Sequence, residues 1–538
     1  MPPSSSPAAQ DPRLAVVADE ILAVLGDPDT SSQAERLGRL EAQYPATDLV
    51  LAAAQLEADA VSLLARLGTR VPLGEREVRT VLLTTKTVTT GGVSMVLLSQ
   101  ARSLLEAGYR VVIAARGEGS DLHAIPAGAA FFQLEAANLS DKAAEWIQVC
   151  REHTVDVIID HQILYTRDWP VYALAGRALG IPTIGWIHNF AGRPVYDLSG
   201  LTSFLTNHMN ALAQVVTLSP LDAVYWKLRG VEHAAYLPNP VSPMILDSAA
   251  EEISKPAPRG RRVELIWWGR LDEHTKQVRQ LLAVGTELKK LDVDFHLKLI
   301  GPEWRGFTPA KLNVEVRKKG LEDLIEVVGP LHGQELVDTA DAADIFISTS
   351  VIEGYQLTLL EAQARGLPVV MYDLPWLVPV QDNAGIVSVP QTDPVALARE
   401  VKAIAEDPER YQLLSSASLE AVTKARTFSF STVYQQLVTG KLPAEFSPEP
   451  SLNDAKELVD LLLFYVERHS GNRTRAAKRK AGQKSREPAA PAQSFARRAL
   501  RSVARRARPY GHLALSVAPG LKPLAHRVNY ALKRRLPQ

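Results

Sequence analysis

Short apolar runs separated by helical stretches recur from Arg79 to Leu237 and again from Val263 to Tyr372, and this double alternation restricts the fold more than any other feature. Runs such as Ile345-Phe346-Ile347 are apolar throughout rather than at every second residue, as befits strands covered on both faces of a parallel sheet. In the first unit the pattern predicts strands at Thr80–Thr84, Arg110–Ala114, Val157–Asp160, Thr183–Ile187, Val215–Leu218 and Ala235–Leu237. Helices are predicted between them at Ser94–Ala107, Ala143–His153 and Val171–Gly180. The second unit is predicted to hold strands at Val263–Trp267, His296–Ile300, Ile325–Val328, Ile345–Ser348 and Val369–Tyr372, with a helix at Lys276–Leu291. A last helix in Ser431–Thr439 is expected to end the globular part. Two consecutive βα units of similar size fit two facing α/β domains with a cleft between them.

The flanks read differently. Residues 1–13, rich in Pro and Ser, are expected to be disordered. Leu14–Leu25, Ser31–Tyr44 and Asp48–Leu67 read as helices, with Pro45 closing the second and Asp48 a candidate cap for the third. The expected division is a helical appendage at 14–75, a first Rossmann-like domain at 76–248, a linker at 249–262, a second Rossmann-like domain at 263–440 and a tail at 441–538. The appendage is expected to pack against the first domain or a partner subunit.

A chain of 538 residues is too long for one ordinary core. The lone cysteine, Cys150, excludes an intrachain disulfide framework and fits a reducing compartment. The opening residues lack the basic leader and apolar core of a secretory signal. No uncharged apolar stretch reaches the roughly 18–20 residues that a membrane-crossing helix needs. The expected location is therefore cytoplasmic. A formal net charge of zero conceals segregation, because residues 470–538 hold 18 Lys and Arg against one acid, Glu487. The rest of the chain carries 42 basic and 59 acidic residues, so the tail is expected to have a separate job.

Glu353 and Glu361 stand with seven residues between them. A strand ending near Ser348–Ser350, a loop carrying Glu353 and a helix from about Tyr355 put both at the carboxyl end of a parallel sheet, where ligand crevices open. Ionised carboxylates accept hydrogen bonds from hydroxyls, so the pair suits a neutral polyhydroxylated ligand. Arg270 and Lys276 follow the first strand of the second unit, next to a predicted helix start whose unpaired N–H groups favour phosphate. Arg offers a bidentate fork and Lys a compact charge, a suitable pair for a diphosphate. Taken alone, the two cations also fit a solvated basic pair, and Glu353 also fits a dipole-complementing cap.

Glu353-Gly-Tyr-Gln-Leu-Thr-Leu-Leu-Glu361, followed by Ala362-Gln-Ala-Arg-Gly-Leu-Pro-Val-Val370, resembles the signature of retaining glycosyltransferases with two facing Rossmann-like domains (GT-B), in particular glycosyltransferase family 4. Trp268-Gly-Arg-Leu-Asp-Glu-His-Thr-Lys276 resembles that family's Gly-Arg-Leu … Lys motif, with Gln277 where the family usually has glycine. The resemblance implies that Arg270 and Lys276 bind pyrophosphate, that Glu361 binds the nucleotide ribose, and that Glu353 lies near the donor sugar and reaction centre. It also implies that His188, at the end of Ile184-Gly-Trp-Ile-His188, stands beside the transferred sugar, although an isolated histidine there equally fits a structural role. Gly91 and Gly92 correspond to the family's glycine-rich loop, contacting donor phosphate or acceptor; read alone they fit a plain turn. The backbone N–H groups of Gly354, Tyr355 and Gln356 are candidates to face the donor phosphate. Ser219 and Asn239 match two further landmarks, read as hinge and loop markers.

The implied reaction moves a sugar from a nucleotide diphosphate donor, UDP-glucose or UDP-N-acetylglucosamine foremost, to a hydroxyl with retained anomeric configuration. No cofactor besides the donor is expected, and the expectation for metal is none, since no His/Cys cluster points to one. Tyr372-Asp-Leu-Pro-Trp376 and Gly385-Ile-Val-Ser-Val-Pro390 resemble bacterial enzymes that decorate teichoic acids or other surface polymers. The expected acceptor is accordingly a polysaccharide, a teichoic acid or a lipid-linked sugar. Two rival readings remain: a catalytically silent scaffold that binds a partner, and an epimerase acting on nucleotide sugars with the same fold.

In the tail, Asn453–Arg468 reads as an amphipathic helix. Phe495, Leu500 and Val503 share a helical face from which Arg497, Arg501 and Arg505 are absent, as in an interfacial helix on an anionic bilayer. The protein is therefore expected at the inner face of the cell membrane. Polybasic arms also neutralise nucleic-acid phosphates, but the tail's few aromatics, Phe495, Tyr510 and Tyr530, disfavour stacking on single strands. The same basic residues also fit a polyanionic acceptor, or a tail that is merely solvated.

Overall fold

The structure, a computed structural model, describes residues 11–56, 58–89, 91–117, 119–193, 196, 201–240, 242 and 255–467. Expectations for residues 1–10, for the start of the linker and for everything after 467 lie outside the described residues.

Two wholly parallel sheets form the body. The first contains β1 (Thr80–Thr85), β2 (Arg110–Ala115), β3 (Ala130–Gln133), β4 (Val157–Asp160), β5 (Thr183–Trp186), β6 (Gln214–Thr217) and β7 (Ala234–Tyr236), in the order β3-β2-β1-β4-β5-β6-β7. The second contains β8 (Val263–Trp268), β9 (Phe295–Ile300), β10 (Ile325–Gly329), β11 (Ile345–Ser348), β12 (Val369–Tyr372) and β13 (Ile386–Val389), in the order β10-β9-β8-β11-β12-β13. Each sheet reverses direction of growth once, between β1 and β4 and between β8 and β11. Crevices for ligands open at the carboxyl ends of strands at such switch points.

β1, β4, β11 and β12 are buried along their whole length, which is why their apolar runs are uninterrupted. Helices begin where a short polar side chain can take a free N–H. Ser219 accepts from Asp222 N ahead of Pro220–Leu228, Thr308 from Lys311 N ahead of Pro309–Lys318, and Asp407 from Arg410 N ahead of Pro408–Thr427. Ser219 is thus a helix cap.

Four N-terminal helices, α1 (Pro12–Leu25), α2 (Thr30–Gln43), α3 (Ala46–Gln55) and α4 (Ala58–Leu67), join the core of the first domain. α3 packs on α6 (Leu139–Glu152) and α7 (Trp169–Ala178), and Arg177 donates to the carbonyls of Leu64 and Gly68. The predicted single helix over 48–67 is two helices, because Leu56 adopts an extended conformation that ends the first. Asp48 lies inside the first turn of α3, with Pro45 as its N-cap. α1 begins at Pro12, two residues inside the stretch expected to be disordered, because Asp11 accepts from Arg13 N and caps it.

The chain then ties the domains together. The helix Phe430–Val438 follows the second sheet but packs on α5 (Gly92–Glu106) of the first domain, burying Tyr434 and Leu437. A further helix, 452–467, buries Leu458, Leu461 and Tyr465 in an apolar cluster drawn from both domains. The globular body thus continues past the predicted end at 440.

Candidate functional site

Trp268 is the last residue of β8, and its indole Nε1 donates to Glu361 Oε2 at 3.1 Å. Glu361 sits in the helix Leu357–Gln363, largely covered, and burial raises its pKa against the indole hydrogen bond and the Lys276 charge. Arg270 leaves the strand end and lies over the Trp304 ring, 4.1 Å from its centroid, so one face of the guanidinium is held by the indole.

The loops after β8 and β11 are stitched together. Val351 N donates to Thr275 O at 2.9 Å, and Thr349 Oγ1 donates to Lys276 O at 2.9 Å. This pairing sets Lys276 beside Glu353, with Nζ 2.7 Å from Oε1. Trp376 Nε1 donates to Glu353 O at 3.1 Å, and its ring stacks on Phe190 and tilts against Tyr465. The predicted helix start at Tyr355 moves to Leu357, because Gln356 is extended. Glu361 is accordingly the fifth residue of its helix. Gln277, in the family's glycine position, adopts φ 48° and ψ 50°, the left-handed region that glycine enters most cheaply.

His188, two residues beyond β5, faces this constellation from the other domain. A Cβ built on Gly354 would lie 2.6 Å from Asn189 Cα and 3.0 Å from His188 O. Only a glycine after Glu353 permits this approach. His188 Nε2 is 2.7 Å from His161 Nδ1, and His161 Nε2 is 3.0 Å from Gln100 Oε1. The two imidazoles stack, and His161 stacks in turn on Trp186. Burial lowers the pKa of His188 to about 3, and burial together with the neighbouring His188 holds His161 well below the ordinary histidine value. Both rings are neutral at pH 7. The loop after His188 is held by Asp222, whose Oδ1 accepts from Ala191 N at 2.8 Å, and burial pushes the Asp222 carboxyl up to about 7.

Gly92 also faces the second domain, where a Cβ would come 3.3 Å from Leu357 Cδ1; around Gly91 the space is open. The Gln356 side chain turns inward to Ser348 Oγ at 3.0 Å and Thr358 Oγ1 at 3.2 Å, and its carbonyl accepts from Leu359 N at 3.1 Å. Tyr355 packs against two apolar clusters, one holding Tyr434 and the other Val422. Asn239 is buried away from this cluster's hydrogen bonds, its Oδ1 without a partner among the described residues. The structure therefore brings Arg270, Lys276, Glu353, Glu361, Gly354 and His188 to one cleft. Among the described residues no group of three or more His, Cys, Asp or Glu is placed to hold a metal ion, and no helix is long and apolar enough to cross a membrane.

Sequence reasoning passes over His161, Trp268, Trp304 and Trp376. His161 had a signal: it directly follows Asp160 at the end of a predicted strand, where polar side chains meet ligands. The tryptophans had none, since an indole near a strand end reads as core.

Residues 262–407 match the family model described as glycosyl transferases group 1. A D-inositol 3-phosphate glycosyltransferase of Streptomyces bingchenggensis (strain BCW-1) is 32% identical over 120 residues, 22% of this chain and 26% of that protein. The chain thus spans about a quarter of that curated relative. The solved structure of HepE from Anabaena, in complex with UDP and glucose, has 17% sequence identity and a TM-score of 0.52, covering 67% of this chain and 99% of that one. TarM of S. aureus, solved with UDP and α-GlcNAc-glycerol among its ligands, has 11% identity and a TM-score of 0.54, covering 67% of this chain and 99% of its own. The fold is GT-B: two Rossmann-like α/β domains facing across a cleft.

Proposed function

We propose that the chain is a glycosyltransferase that moves a sugar from a nucleotide diphosphate sugar to a hydroxyl group. The observation that carries the reading is the convergence of Arg270, Lys276, Glu353 and Glu361 with His188 across a cleft closed by the Gly354 contact. Support also comes from the group 1 match over the domain that holds four of these residues. HepE and TarM bind UDP, so the donor is proposed to be a UDP-sugar.

Glu361, oriented by Trp268, is the acceptor for the ribose hydroxyls. Arg270, stiffened by Trp304, and Lys276 take the diphosphate, whose charge grows as the glycosidic bond breaks. Preorganised donors at such a place lower the barrier by roughly 2.7–4 kcal/mol each. Donor entry draws Lys276 from Glu353 towards phosphate and frees the carboxylate for the sugar hydroxyls. His188 stays neutral and, with its Nε2–H given to His161, its Nδ1 can accept from a hydroxyl of the transferred sugar without adding charge beside an oxocarbenium-like centre. Transfer with retention, by front-face attack and without a metal, is the form of the reaction proposed. The acceptor is proposed to be a cell-surface polysaccharide, a teichoic acid or a lipid-linked sugar, and the basic segment 470–538 to hold the protein on the anionic inner face of the membrane.

The test is donor turnover, with and without added acceptor, in Arg270→Ala, Lys276→Ala and Glu353→Gln. Each is expected to cut transfer at least about a hundredfold with the melting transition still cooperative. Full activity in any one removes that residue from the catalytic set. Acceptor-independent interconversion of the donor would favour the epimerase reading.

A further inference from the structure

The helix 452–467 is apolar over more than half of its circumference, yet the body of the protein covers only part of that surface. Leu458, Leu461 and Tyr465 face inward and are buried. Leu452, Val459, Leu463 and Val466, spaced seven, four and three residues apart, form a second line that faces outward. The first three are 72%, 54% and 50% exposed, and Val466 is 38% exposed. Half-buried Leu462 lies between the two lines. Single exposed leucines are ordinary, but four large apolar side chains in register on one helix mark an interaction surface.

The charge of the helix narrows what can cover it. Asp454, Glu457, Asp460 and Glu467 stand against one base, Lys456, and the last three of these acids are exposed. Such acids are repelled by an anionic bilayer, and a second copy of the helix would set acid against acid. A cationic amphipathic segment is the complement, and the chain carries one. In 495–508, Phe495, Leu500 and Val503 share a helical face, and six arginines stand with no acid. The described residues end at Glu467, on the helix itself, and the 27 residues 468–494 lead from there to Phe495. A chain of that length has a root-mean-square reach of about 30 Å, against roughly 24 Å for the 16 residues of the helix. A tether this short gives an effective concentration in the millimolar range, so weak contacts suffice.

We propose that segment 495–508 docks on the outward face of the helix 452–467. Its apolar side chains cover Leu452, Val459, Leu463 and Val466, and its arginines meet Glu457, Asp460 and Glu467. While docked, Phe495, Leu500 and Val503 are withheld from a bilayer, so anionic lipid has to compete for them. The docking goes beyond the transfer reading and does not rest on it; the competition alone rests on the membrane role given to the basic segment above.

The experiment is disulfide trapping in the full-length protein. Cys150, the lone native cysteine, is buried, and burial pushes its thiol up to about 12, so introduced cysteines react without it. Leu463→Cys/Leu500→Cys is oxidised with diamide beside Leu463→Cys/Ser502→Cys, whose second cysteine falls on the helical line of Arg498 and Arg506. The first pair is expected to close within one chain about tenfold faster than the second. Adding Glu457→Lys and Asp460→Lys to the first pair is expected to slow it about fivefold. Equal rates for the two pairs, or no closure within a chain, overturn the proposal, and disulfides formed only between chains overturn it in favour of a second copy. Flotation on phosphatidylserine vesicles that is lost in Leu463→Asp, with no closure within a chain, assigns the face to lipid and overturns it too. Phosphatidylserine vesicles are expected to slow the first pair; an unchanged rate supports the docking and sinks the membrane role of the tail instead.

Discussion

Lys276 Nζ lies 2.7 Å from Glu353 Oε1, and the two side chains are only 12% and 14% exposed. They belong to loops following different strands, β8 and β11, so the ion pair records how the switch point of the second sheet is closed. Losing one partner strands a nearly buried charge. Lys276→Met or Glu353→Gln alone is expected to lower stability by about 1–3 kcal/mol, and the double variant by less than the sum. Thermal melting of the four proteins checks this. UDP titration should show Lys276→Met losing about tenfold or more in affinity while Glu353→Gln keeps it.

Gly354 is a point of close approach between the two domains at the site. Gly354→Ala puts a methyl 2.6 Å from Asn189 Cα, a backbone atom that cannot swing away. The domains must part or the Glu353 loop must shift. Transfer is expected to fall about a hundredfold or more, with UDP affinity changed far less, because Arg270, Lys276 and Glu361 lie in one domain. Equal losses of binding and turnover would contradict this assignment.

His161 orients His188. With Gln100 Oε1 accepting from His161 Nε2–H, Nδ1 accepts from His188 Nε2–H and fixes that ring's tautomer. His161→Phe removes the acceptor and is expected to lower kcat about tenfold with UDP affinity unchanged. His161→Gln, which can still accept, should recover part of the loss. Steady-state kinetics of the three proteins decide it.

Asp222 gives a pH signature. Its folded-state pKa, about 7, lies above the ordinary carboxylate value of 3.8, because burial penalises the charge. Its contribution to stability is therefore complete below about 3.8 and is lost as pH rises through about 7. The melting temperature of the wild type minus that of Asp222→Asn should grow as pH is lowered from 7 to 5. Melting curves at stepped pH values measure it, and a flat difference would contradict the burial of this carboxylate.

Tyr465 pins the helix 452–467 to both domains. Its ring tilts on Trp376 at 4.9 Å and on Phe190 at 5.9 Å, and its hydroxyl donates to Val351 O at 3.2 Å. Tyr465→Ala is expected to cost about 3 kcal/mol in stability and to loosen the Trp376 hydrogen bond behind Glu353. Calorimetry gives the first, and a fall in kcat at unchanged UDP affinity the second.

The parallel strands were legible where burial on both faces leaves a continuous apolar run. Val157–Asp160, Ile345–Ser348 and Val369–Tyr372 agree with prediction to the residue. The edge strands Ala130–Gln133 and Ile386–Val389 were not, since an edge strand is partly exposed and its pattern is broken. The helices Pro394–Glu406 and Pro408–Thr427 are not among the predicted elements, although Asp393 and Asp407 cap them and Leu397, Val401 and Ile404 mark a buried stripe on the first. The helix 452–467 was read as tail, because amphipathicity reveals a buried stripe but not what covers it.

Residue identity by itself determined the two α/β units, the order in which they occur and the residues able to meet a phosphate or a hydroxyl, because strand burial and side-chain chemistry are local properties. Only the tertiary structure decided that Lys276 faces Glu353, that His188 leans on His161 and that Gly354 seats one domain against the other. Those contacts join positions 27 to 166 residues apart, and chain packing rather than local propensity selects which of them meet.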